Sequence, residues 1–84
     1  MILINNSFSM SEDYEKKFYW GCYPNSKQYL GTEKAKQYCS CTVKTLSEKF
    51  TDEEMDKIST KSAETQIDTF NFASELCSKI IETN

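Results

Sequence analysis

Thr32-Glu33-Lys34-Ala35-Lys36-Gln37-Tyr38-Cys39-Ser40-Cys41-Thr42-Val43-Lys44-Thr45-Leu46 is the stretch that decides the fold. Ala35, Cys39, Thr42, Val43 and Leu46, followed by Phe50, recur at spacings of three and four, the period of a helix with one buried face. Thr32 is the expected N-cap, and Glu33 sits where a helix dipole favours an acid. Cys39 and Cys41 lie about 200° apart around such a helix. A bond between them would need strained geometry, so each is expected to tie this helix to a different part of the chain.

Outward in both directions the helical signal continues. Met10, Tyr14, Phe18 and Cys22 recur every four residues and define a first helix, with Ser9 as its cap and Glu12 reaching back from the first turn. Gly21 and Pro24-Asn25-Ser26 predict its stop, followed by a loop of about ten residues that holds Tyr23, Tyr29, Leu30 and Gly31. After the central helix, Thr51-Asp52-Glu53-Glu54 has the form of a capping box, with Phe50 and Met55 as a hydrophobic staple. Met55, Ile58, Ser62, Ile67, Phe70, Ala73, Leu76, Cys77 and Ile80 carry a stripe to about Glu82. Ser59 to Ser62 is weakly helical, so this last element is expected to kink or divide there. The sequence therefore predicts an all-α fold: a small three-helix bundle, four-helix if the last element divides, or a helical hairpin with an added helix, in one domain over residues 10–84.

The four cysteines, Cys22, Cys39, Cys41 and Cys77, are expected to form two disulfides. Two staples suit a chain of 84 residues, because a core of that size leaves only a few kcal/mol of net stability. Each closed loop contributes about 3–4 kcal/mol by restricting the unfolded chain. Of the three connectivities that four cysteines allow, Cys22–Cys41 with Cys39–Cys77 is favoured over Cys22–Cys39 with Cys41–Cys77. The reason is that Cys39 and Cys77 both lie on core-facing stripes. Zinc is disfavoured, since structural sites use Cys-x2-4-Cys knuckles and this chain has no histidine. No metal and no cofactor is expected.

Composition narrows the function classes. With no histidine and no arginine, the common general base and the usual phosphate clamp are both missing. The motifs of a nucleophile elbow or phosphate loop are absent as well, so no enzymatic activity is expected. A net charge of −3 argues against nucleic acid, whose affinity rests on a basic face. No apolar run is long enough to span a bilayer. Met1-Ile2-Leu3-Ile4 followed by Ser7-Phe8-Ser9, a small-x-small step, reads either as the remnant of a signal peptide over residues 1–9 or as a plain flexible N-terminus. Phe18-Tyr19-Trp20 cannot all face one core, since successive helical residues are 100° apart. Tyr19, Trp20, Tyr23 and Tyr29 are thus the candidate partner-binding residues, set against a reading in which the loop folds over Trp20.

Tyr38-Cys39-Ser40-Cys41, then Leu46, Phe50-Thr51, Glu54 and the late Cys77, resembles a loose group of small exported bacterial helical proteins. These share an early cysteine, a Tyr-Cys-x-Cys segment and a final cysteine. The resemblance covers roughly Phe18 to Ile81 and implies an extracytoplasmic, disulfide-bonded helical fold with no assigned activity. The expected function is a non-enzymatic interaction or structural module, periplasmic or secreted, that binds a protein partner or self-associates. The alternative is a thiol-redox or soft-metal protein built on Cys39 and Cys41.

Overall fold

A computed structural model describes residues 9–82, which form four helices and no strand: α1 (Glu12–Leu30), α2 (Thr32–Lys49), α3 (Asp52–Ser59) and α4 (Ala63–Glu82). The all-α expectation holds. The signal-peptide reading of residues 1–9 falls, apart from Ser9, outside the described residues. α1 and α2 run antiparallel: Cys22 is bonded to Cys39, and just ahead of α1 the Met10 amide donates to Ser47 Oγ at 3.2 Å. α4 packs along α2, and α3 rests against α4.

The first helix departs from expectation at both ends. Its cap is Ser11, whose Oγ accepts the Tyr14 amide at 3.2 Å, not Ser9. Long-range bonds hold the entry extended. Met10 is buried and bonded to Ser47, and the Ser11 amide donates to Asp52 Oδ1 at 2.8 Å. At the other end the helix runs through Gly21 and Pro24 to Leu30, so the ten-residue loop does not exist. Proline inside a helix costs about 3 kcal/mol relative to alanine, and packing along α2 with the Cys22–Cys39 bond outweighs it. Local stop signals lost to tertiary contact.

The connection is Gly31 alone. Its amide donates to the Lys27 carbonyl at 3.0 Å and its carbonyl accepts from the Ala35 amide at 3.0 Å, so one residue closes α1 and opens α2. Gly31 therefore takes the N-cap position expected of Thr32, which is the first helical residue instead. Its φ of 83° and ψ of 171° lie in a region that essentially only glycine enters, at a cost of about 1–3 kcal/mol for other residues.

α2 buries Ala35, Cys39, Thr42, Val43 and Leu46 as its spacing predicts, and Ser47 besides. Thr51 and Glu54 form the expected capping box: the Glu54 amide donates to Thr51 Oγ1 at 3.1 Å, and the Thr51 amide to Glu54 Oε1 at 2.9 Å. The last element does divide. Ser59 and Thr60 hydroxyls donate to the carbonyls of Asp56 and Lys57, competing with the helix ladder. Ser62 Oγ then receives the Thr65 amide at the start of α4. Along α4 the buried line is Ala73, Cys77 and Ile81, joined by half-buried Phe70. Ile67, Leu76 and Ile80, expected inside, are at least 43% exposed. The core line advances by three, four and four residues, which puts Ile81 rather than Ile80 on the buried side.

Met10, Leu46, Met55 and Ala73 form the buried cluster, with Tyr14, Phe18, Phe50, Ile58 and Phe70 packed around it. Phe70 meets Phe18 edge-on at 5.8 Å and Phe50 at 6.3 Å, bringing α1, α4 and the end of α2 together. Tyr14 joins α1 to α3 by donating its hydroxyl to Asp56 Oδ1 at 2.8 Å. Burial, that hydrogen bond and the charges of Asp56 and Asp52 push the Tyr14 pKa up to about 12. The folded state therefore holds this proton more tightly than the unfolded chain, where tyrosine titrates near 10. The stabilisation is complete below about pH 10 and is lost as pH rises towards 12. Melting temperature is expected to fall more steeply over that window in the parent than in Tyr14→Phe, measured by circular dichroism; equal slopes would refute the linkage.

Candidate functional site

The disulfides pair Cys22 with Cys39 and Cys41 with Cys77, with Cα separations of 5.9 and 5.7 Å. The favoured sequence pairing, Cys22–Cys41 with Cys39–Cys77, is overturned, and the reason lies in the hairpin. Cys22 stands nine residues before Gly31 and Cys39 eight after it. An antiparallel pair of helices turning on one residue brings such equidistant positions face to face. A ten-residue loop from Gly21 onward would have erased that register. Cys41, about 200° further round α2, is turned to α4 instead, where it meets Cys77. The middle helix is stapled on both sides, as expected, but with the partners exchanged. Cys39 and Cys77 are fully buried; Cys22 and Cys41 are partly so. Thiolate chemistry at Cys39 and Cys41 would require breaking bonds to two different helices.

The acidic run at the start of α3 is engaged in the fold. Asp52 holds the Ser11 amide, Glu54 completes the capping box, and Asp56 receives the Tyr14 hydroxyl. These are structural uses of all three carboxylates.

Of the four candidate partner-binding residues, three come together. Because α1 continues past Gly21, Tyr23 stands one turn above Tyr19 and Trp20 rather than in a loop. Tyr19 and Tyr23 stack with ring centroids 6.0 Å apart and planes within 8°. Trp20 stands nearly perpendicular to both, at 5.2 Å from Tyr19 and 5.8 Å from Tyr23. Lys27, one further turn on, places Nζ 5.9 Å from the Tyr23 centroid. Among the described residues no loop folds over the tryptophan, which is 63% exposed. Tyr29, at the end of α1, is 80% exposed and makes no ring contact with the others.

Beside this ledge runs an open groove of about 660 Å³ between α1 and α2. Tyr19 and Val43 supply apolar wall, and Glu15, Lys16, Lys44 and Glu48 border it with both signs of charge. Sequence reading missed Lys27 because its place depends on α1 reaching Leu30, and missed the groove because that depends on the register of α1 against α2. The spacing of Tyr19, Tyr23 and Lys27 by four was the available signal.

No protein-family model matches this chain, and no curated protein or solved structure matches it either.

Proposed function

We propose that this chain is a non-enzymatic, extracytoplasmic interaction module whose contact face is the Tyr19–Trp20–Tyr23 ledge of α1. The exposure of Trp20, set edge-on against two mutually stacked tyrosines, carries the reading. A large ring held in place by its neighbours loses little conformational entropy on binding, and tryptophan and tyrosine are over-represented among the residues that dominate interface energies. The adjacent groove would admit a partner side chain or helix edge next to the ledge.

The cysteines support the compartment. All four cysteines are in disulfides, which persist in oxidising surroundings. Among the described residues, no helix is long and apolar enough to cross a membrane. The resemblance to small exported bacterial helical proteins points the same way, and that group lends no activity to transfer.

The ledge is tested by comparing parent and Trp20→Ala chains as bait for oxidised envelope and extracellular fractions, with circular dichroism confirming an unchanged fold. Tryptophan hot spots are worth about 2 kcal/mol or more, so the variant is expected to retain a specific partner at least about tenfold less well. Equal recovery of every captured protein by both baits would contradict this reading.

A further inference from the structure

On α4 the apolar side chains cover more of the helix than its neighbours bury. Phe70, Ala73, Cys77 and Ile81 run down the core side. A second line, Phe72, Leu76 and Ile80, rises at four-residue spacing on the adjoining face, where these residues are 38%, 48% and 43% exposed. Helices of small bundles normally turn polar residues outward at that point. Here three large apolar side chains on consecutive turns make a strip about 12 Å long.

Between Phe72 and Ile80 the outer border on α4 carries one acid and one base, with Asp68 and Glu82 beyond its two ends. By helical geometry Lys79 lies about 20° round from Phe72, and Glu75 about 60° round on the same side. Asn71 Nδ2 donates to Glu75 Oε2 at 3.0 Å and orients that carboxylate. At the Phe72 end, Lys49 of α2 lies with Nζ 5.2 Å from the ring centroid.

We propose that the strip is a self-association surface, and that its occupant is the same strip on a second copy of this chain, packed antiparallel about a two-fold axis. In such an isologous contact the two copies present one patch to itself, and positions equally far above and below the axis face each other. Glu75 and Lys79 lie two residues either side of position 77. An axis level with that position sets Glu75 against Lys79 of the second copy, and Lys79 against its Glu75. The same register keeps Phe72 close to Ile80 of the second copy, and the two Leu76 side chains near the axis. A parallel two-fold pairing would instead put the two borders on opposite sides of the seam, where neither charge of one copy meets those of the other. The charged border is therefore complementary to itself in one orientation, which is why a copy of this chain fits better than an unrelated partner. The proposal is separate from the aromatic ledge, which belongs to α1.

The test is analytical ultracentrifugation of the full oxidised chain across a concentration series. The weight-average mass is expected to rise with concentration towards that of two chains. Leu76→Glu, a substitution at a half-exposed position, is expected to weaken association about tenfold or more. Glu75→Lys and Lys79→Glu should each weaken it several-fold, and the double exchange should restore it, since it re-creates the reciprocal pairs. Should Leu76→Glu fail to fold, the charge exchange at these two exposed positions still decides the matter. A mass that stays at one chain up to the solubility limit overturns the proposal. So does association that Leu76→Glu or the single charge changes leave untouched. So would a strip that captures other proteins while the chain stays monomeric.

Discussion

Replacing Cys41 and Cys77 together by alanine will lower the free energy of unfolding by about 4 kcal/mol, and replacing Cys22 and Cys39 will lower it by about 3 kcal/mol. The order follows from loop size. The Cys41–Cys77 bond spans 36 residues and the Cys22–Cys39 bond 17. The larger loop gives the unfolded chain more freedom once released. Alanine is the better replacement at Cys77, because that site is fully buried and a serine hydroxyl would need a partner there. The Cys41–Cys77 bond also joins α4 to α2 near the end of the chain, where α4 has no other covalent hold. Urea unfolding followed by circular dichroism measures both losses. A cost below about 1 kcal/mol for either pair would mean that the helices hold each other without the staples.

Leu46→Ala is expected to cost about 3 kcal/mol, within the usual span for truncating a buried leucine. Leu46 is 1% exposed and lies in the cluster where Met10 before α1, Met55 of α3 and Ala73 of α4 converge. Collapse into the space is restricted on the α4 side, because Ala73 lies on a helix that the Cys41–Cys77 bond holds against α2. Ile67→Ala removes a similar amount of carbon from a site that is 67% exposed and should cost under about 0.5 kcal/mol. The contrast between the two, measured in the same urea series, separates burial from residue type. Similar losses at both positions would place the core elsewhere.

Much of this fold can be read from local chemistry. The spacing of Ala35, Cys39, Val43 and Leu46 reports a buried helix face, and the Thr51–Glu54 box reports a helix start, because both signals act within a few residues. Gly21 and Pro24 mislead for the same reason: they describe what the isolated segment prefers, whereas α2 packed alongside and a disulfide to Cys39 hold α1 helical through both. That one error moved Tyr23 into a loop, concealed its stacking on Tyr19, and erased the hairpin register that pairs Cys22 with Cys39. At the N-terminus, Ser9 and Ser11 are equally good caps locally. The Met10–Ser47 and Ser11–Asp52 bonds choose between them, over separations of 37 and 41 residues. On α4, a period of three and four fits both Ile80 and Ile81 until the crossing with α2 is known. The aromatic ledge was legible as residue type and spacing, since three successive aromatics cannot share one core. Its geometry was not.

The one-residue hairpin at Gly31 imposes the disulfide register. Tryptic digestion cannot part Cys39 from Cys41, since no lysine lies between them. In the Cys41→Ala, Cys77→Ala chain, digested without reductant, mass spectrometry should show the peptide carrying Cys22 linked to the peptide carrying Cys39. The matching Cys22→Ala, Cys39→Ala chain should show Cys41 linked to Cys77. Fragmentation of the three-peptide species from the native oxidised chain must then give the same two bonds. A native fragment joining Cys22 to Cys41, or Cys39 to Cys77, would contradict the hairpin register and the placement of the aromatic ledge with it.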